Sequence, residues 1–262
     1  MEKAFTFVPI PARSAKPRET GVTMMIDWNL GPIKQSDLMK LVHPFVDLAK
    51  IAVGISGIID ANILREKIAI YNSYQADPFI GGQFLEYSIH HKGLDVAKPY
   101  FEECCKLGFK SVEVSDNFLK IAPEDKYRII RTACEEFGLR VLGEVGAKTE
   151  VSSVDDMVRG IEGCLQAGSW KVFVEGAEFM DKEKGGLARH VIDGIASRVD
   201  LKYLMFELPG IWIHNAHPPE IHDMTMYFVR TYGPEVNIAN VMPEWVLELE
   251  TLRTGVGVLG LH

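Results

Sequence analysis

The chain has 262 residues, 47% of them hydrophobic and 24% charged, with a formal net charge of −8. That length is ample for one large core and close to the usual size of a single (β/α)8 domain. The negative charge excludes partners that need a broadly basic surface, such as nucleic acid or an anionic membrane, while local charge can still favour a small anionic substrate. The four cysteines, Cys104, Cys105, Cys134 and Cys164, lack CxxC spacing and read as ordinary reduced thiols. No run of about 18 apolar residues suggests a membrane span. Glu2, Lys3 and Arg13 among N-terminal prolines leave no apolar stretch for a secretory signal, so a cytoplasmic protein is expected.

Residues 1–20, with Pro9, Pro11 and Pro17, read as an irregular arm or a cover for the domain spanning 21–262. Eight short, mostly apolar runs follow: Thr23-Met-Met-Ile-Asp27, Val46-Asp-Leu-Ala-Lys50, Phe79-Ile-Gly-Gly82, Val112-Glu-Val-Ser-Asp116, Arg140-Val-Leu-Gly-Glu144, Lys171-Val-Phe-Val-Glu175, Tyr203-Leu-Met-Phe-Glu207 and Val236-Asn-Ile-Ala-Asn240. Each reads as a buried strand, and most end on a charged or amide side chain. Helical spacing is expected near 34–43, 60–74, 94–107, 123–137, 154–167, 187–198, 220–232 and 243–254, with Ser153 as a cap. This alternation predicts the α/β class and a single (β/α)8 TIM barrel. An open doubly wound sheet shares the alternation, but the first strand is not followed by a GxGxxG turn.

A barrel of this kind gathers its strand ends at one mouth, where chemistry is done. Asp27, Glu113, Asp116, Glu144, Glu175 and Glu207 would meet there with Lys50 and Lys148. So many carboxylates repel one another unless a cation is present or some are protonated. Mg²⁺, which takes oxygen ligands, suits the set; pairing with lysines or backbone amides suits any one member. A lysine at a strand end can hold an anionic oxygen, donate a proton or form a Schiff base, or simply reach out to solvent. His214 and His217 lie in an aromatic loop after the seventh strand, where Pro218-Pro219 disfavours a helical zinc pair and leaves a substrate-contacting or exposed role.

Taken together, Lys16-Pro-Arg-Glu-Thr-Gly21, Lys50 with Gly54 and Ser56, Gly81-Gly82-x-x-x-Glu86, Glu113-Val-Ser-Asp116, Glu144-Val-Gly-x-Lys148, Phe206-Glu207-x-Pro209, Val236-Asn-Ile-Ala-Asn240 and Leu249-Glu-Thr-Leu-Arg253 resemble the phosphosulfolactate synthase family. The resemblance implies a (β/α)8 barrel that adds sulfite to phosphoenolpyruvate with Mg²⁺, in coenzyme M or related sulfonate synthesis. It implies a metal environment of Asp27, Glu144 and Glu175, with Lys50 or Lys148 as the catalytic lysine. Gly81, Gly82, Glu86, Asp116, Glu207, Asn240, Arg253, His214 and His217 become candidates for substrate binding, and a homo-oligomer is expected.

The chain departs from the family pattern where the family carries cations and polar groups, at Ala177, Ile211 and Gly257, and has Ala52-Val53 in place of an aromatic-glycine pair. Each lost charge-assisted bond to phosphate is worth about 1.5–3 kcal/mol. Lys182 and Lys184 offer replacements. The same metal-plus-lysine centre acting on an unphosphorylated carboxylate or carbonyl compound is the alternative, Schiff-base aldolase chemistry included. A non-catalytic homologue with a structural or stress-related role is the third reading.

Overall fold

The strands carry side chains with a period of two, and that alternation sorts the whole molecule into layers. Leu48, Leu142, Phe173 and Met205 point inward and pack with Val22, Met24, Phe79 and Ala239 as one buried cluster, and Phe79 stacks on Phe173 with centroids 6.0 Å apart. Two residues further on, the same strands carry Lys50, Glu144, Glu175 and Glu207. Residues of the opposite parity, among them Ala49, Val145, Val174 and Phe206, face the helices in the larger core. An apolar plug thus fills the barrel, and a charged layer lies directly above it.

A computed structural model describes residues 4–147, 152–181, 186–210, 213 and 216–257. Its strands are β1 (Thr23–Asp27), β2 (Leu48–Ile51), β3 (Asp77–Ile80), β4 (Ser111–Val114), β5 (Arg140–Val145), β6 (Lys171–Val174), β7 (Leu204–Glu207) and β8 (Ile238–Val241). They form one parallel sheet in the order β3-β2-β1-β8-β7-β6-β5-β4. The two ends of that order meet at a seam, where Ser111 Oγ donates to Asp77 Oδ2 at 2.5 Å. This is the (β/α)8 barrel expected from the sequence.

The helices are α1 (Pro32–Val42), α2 (Ala61–Ser73), α3 (Gln83–Lys92), α4 (Ala97–Leu107), α5 (Pro123–Glu135), α6 (Val154–Gln166), α7 (Arg189–Ala196), α8 (Pro218–Tyr232) and α9 (Val246–Thr254). Ser153 caps α6, its Oγ accepting from Asp156 N at 3.0 Å. The sequence reading missed α3, whose Glu86, Ser88, His90 and Lys92 interrupt an apolar period. None of these helices is long and apolar enough to cross a membrane among the described residues.

The N-terminal end of the barrel is closed by the arm. Lys16 Nζ donates to the carbonyls of His43 (2.9 Å) and Tyr74 (3.1 Å), and Arg18 pairs with Asp47 at 3.0 Å. Asp47 in turn accepts from Thr23 N at the start of β1. Arg253 also lies at this end, where its Nη1 donates to Val236 O at 2.8 Å just before β8.

The pairing of β1 with β8 contains a bulge. Thr23 faces Ile238 while Met25 faces Val241, so β8 uses three steps where β1 uses two. The extra residue permits Asn240 its left-handed backbone, φ +57°, which asparagine tolerates better than most. Simple alternation after the inward Ala239 would turn Asn240 away from the barrel axis; the bulge returns it to the mouth.

Candidate active site

At the C-terminal ends of the strands, Lys50 Nζ lies 3.0 Å from Glu113 Oε2 and 3.0 Å from Glu207 Oε1. Carboxylate oxygens of Glu113, Glu144 and Glu207 all fall within 4.8 Å of one another. The four residues are buried. Asn117 joins them from the loop after β4, its Nδ2 donating to Glu144 Oε1 at 2.6 Å and to Glu175 Oε2 at 3.4 Å. Glu175 also accepts from Ala177 N at 3.1 Å. Gly146 turns the chain at φ +102°, where a Cβ would lie 3.0 Å from Glu175 Cβ, so glycine is needed to bring the end of β5 against β6.

Burial alone opposes charge on Lys50, yet the combined attraction of Glu113, Glu207 and Glu144 holds the ammonium well above the ordinary lysine range. Burial pushes the Glu113 carboxyl well above the usual carboxylate range; Lys50 pulls against that shift and Glu144 adds to it. One cation therefore serves several buried acids. Glu113 Oε2 meets Lys50 Nζ as a buried ion pair. A set of three converging carboxylates fits a hard divalent cation, whose preferred donors are oxygens.

The expected site residues divide into four groups. Lys50, Glu144, Glu175, Glu207, Asn240 and Gly82 line one cavity at the mouth, with Trp28, Val53 and Glu113. Gly81 lies beside it, where a Cβ would stand 3.4 Å from Lys50 Cε. Asp27, Glu86 and Asp116 are engaged just outside that cavity. Asp27 accepts from Lys67 Nζ and Tyr71 Oη at 2.6 Å each and from Leu30 N at 2.9 Å. Glu86 accepts from Phe118 N and Leu119 N at 2.7 Å each and from Ser115 Oγ. Asp116 pairs with Lys126 at 2.6 Å. His217 is an exposed residue at the start of α8, and Arg253 sits at the opposite end of the barrel from the mouth. Lys148 and His214 lie outside the described residues, as do Lys182, Lys184 and Ile211.

The acidic triad thus shares only Glu144 with the metal environment read from the sequence. Glu113 belongs to it because position 113 has the inward parity of β4, and Asn117 follows at the same parity four residues on. That period was the signal available in the sequence.

Fold and mouth together define a parallel (β/α)8 barrel with an acidic, lysine-bearing centre at its C-terminal face. Residues 11–258 match the family described as (2R)-phospho-3-sulfolactate synthase (ComA), and the chain belongs to that family. It is similar to the phosphosulfolactate synthase of Methanothermobacter thermautotrophicus, 32% identical over 262 residues, covering 97% of this chain and 95% of that one. The enzyme of the same name from Methanocaldococcus jannaschii is 31% identical, covering 91% and 92%. Among solved structures, the YdjI aldolase from Escherichia coli K12 superposes with a TM-score of 0.58 at 14% identity, covering 91% of this chain and 88% of that chain, which is a likeness of fold.

Proposed function

We propose that this protein is a Mg²⁺-dependent lyase or synthase that adds sulfite to phosphoenolpyruvate or to a related enol or unsaturated acid. The observation that carries the reading is the Lys50 ammonium held between Glu113 and Glu207 beside Glu144. Glu113, Glu144 and Glu207 would hold the cation, which when bound supplies positive charge to the substrate carboxylate as electron density moves onto it.

In the proposed addition, the sulfur lone pair of sulfite forms a bond to the terminal carbon of the double bond. The π pair moves toward the carboxylate-bearing carbon, which then takes a proton. Lys50, fixed between two carboxylates, acts as a stationary cation facing the developing negative charge. Lys148, three residues beyond β5, is the proposed proton donor. Asn117 orients the Glu144 and Glu175 carboxylates. A homo-oligomer and a cytoplasmic location complete the reading; sedimentation velocity tests the first.

The second reading keeps the centre and changes the substrate to an unphosphorylated acid or carbonyl compound. It is favoured by the residues directly after β7 and β8, which in this fold commonly cradle phosphate. Leu208, Pro209 and Gly210 follow β7, and Met242, Pro243 and Glu244 follow β8, with no cation among them. Ala177 is fully buried. A steady-state assay with phosphoenolpyruvate and sulfite, in Mg²⁺ and in EDTA, separates the two. Mg²⁺-dependent phosphosulfolactate supports the first reading; bound Mg²⁺ without product supports the second.

A further inference from the structure

The space enclosed by the charged mouth is small, about 30 Å³, enough for one or two water-sized groups. Beside it opens a groove of about 610 Å³, within the range of ligand pockets. Val53 and Gln83 line both, so the two spaces are adjacent. The walls of the groove are apolar: Ile58 is 84% exposed and Phe118 62% exposed, with Phe84 forming the floor. Exposed apolar side chains gathered about a concavity mark a binding surface.

This groove is built into the fold. Phe84 lies across Gly57, where a Cβ would come within 2.5 Å of its ring, so the floor depends on that glycine. The far wall is pinned by the buried Glu86 carboxylate, which accepts from the backbone of Phe118 and Leu119 at 2.7 Å each. At the junction with the mouth, Val53 is held at φ +47°. A β-branched residue in the left-handed region is strained, and such strain concentrates at functional sites. Val53 thus sets an apolar side chain between the two spaces.

We propose that the groove binds an apolar substituent of the substrate whose acidic head is held at the Lys50 centre, and that Val53 selects for that substituent. The ligand is an amphipathic 2-oxo, enol or unsaturated carboxylate. The inference rests on the reading of the mouth given above. The groove's place beside the mouth, with Val53 and Gln83 shared between the two spaces, favours this occupant over a second copy of the protein.

The test is the dissociation constant of pyruvate, 2-oxobutanoate, 2-oxohexanoate and 2-oxooctanoate, measured calorimetrically with saturating Mg²⁺ on the wild-type chain and on Ile58→Asp. Affinity is expected to rise about two- to fourfold per added methylene in the wild type. Ile58→Asp, at an exposed position that folding does not depend on, is expected to flatten that rise. A wild-type series without dependence on chain length overturns the proposal, as does a dependence that Ile58→Asp leaves intact. So does a series without chain-length dependence in which Ile58→Asp instead dissociates an oligomer, which makes the groove an interface between copies. A chain-length dependence equal in EDTA and in Lys50→Met retains the groove but removes the head from the metal-lysine centre. Mg²⁺ binding with no chain-length dependence does the reverse.

Discussion

Lys50 on β2 and Glu207 on β7 meet at 3.0 Å although β1 and β8 lie between their strands in the sheet. Their contact therefore spans the barrel axis, which only closure of the sheet permits. Lys50 also meets Glu113 on β4, so one side chain bridges strands from three parts of the barrel.

Replacing Lys50 with methionine leaves the buried acids without their shared cation. Removal of one partner from a buried ion pair costs about 3–5 kcal/mol. Urea unfolding in EDTA should show a loss of at least about 3 kcal/mol, and millimolar Mg²⁺ should restore part of it. A variant as stable as the wild type in EDTA would mean that the carboxylates are neutralised by other means.

Mg²⁺ should stabilise the wild type by mass action, by about 2.7 kcal/mol when its concentration is 100 times the dissociation constant. Glu113→Gln removes one of the three converging carboxylates. It is expected to weaken Mg²⁺ binding at least tenfold, read by calorimetry, whereas Asp27→Asn should change it less than twofold.

Asp27→Asn should act on stability instead. Its carboxylate accepts from Lys67, Tyr71 and Leu30 N, tying β1 to α2 and to the following loop. Loss of charge there strands the buried Lys67 ammonium, at a cost of about 3 kcal/mol in the unfolding free energy. Thermal melts at matched Mg²⁺ check this.

Burial lowers Lys171 to about 8, although its Nζ donates to Glu19 O at 2.7 Å. In the unfolded chain the same lysine titrates near 10.5. Between pH 8 and 10.5 the unfolded state binds more protons at this position, so its contribution to stability rises with pH through that window. Lys171→Arg keeps a donor that does not titrate there. The variant should show a smaller increase of unfolding free energy between pH 8 and 9.5.

Glu86→Ala should loosen the loop after β4. Hydrogen exchange at Phe118 and Leu119, whose amides both donate to Glu86, is expected to accelerate, with little change at Val112 or Val114 inside the strand. Equal acceleration along β4 would assign Glu86 a role in global stability.

The sequence by itself determined the barrel and most of its charged layer. Apolar–x–charged at Leu48/Lys50, Leu142/Glu144, Phe173/Glu175 and Met205/Glu207 is visible because a strand repeats every two residues, so facing direction can be read from local spacing. Tertiary structure decided which carboxylates converge. Asp27 ends a strand just as Glu207 does, but Lys67 and Tyr71, 40 and 44 residues away, engage it. Arg253 belongs to a family-like motif and nevertheless lies at the far end, because a helix following a barrel strand runs back toward the start of the sheet. The bulge that returns Asn240 to the mouth, the strained backbone of Val53 and the groove beside it depend on packing between distant segments, to which a local period carries no information.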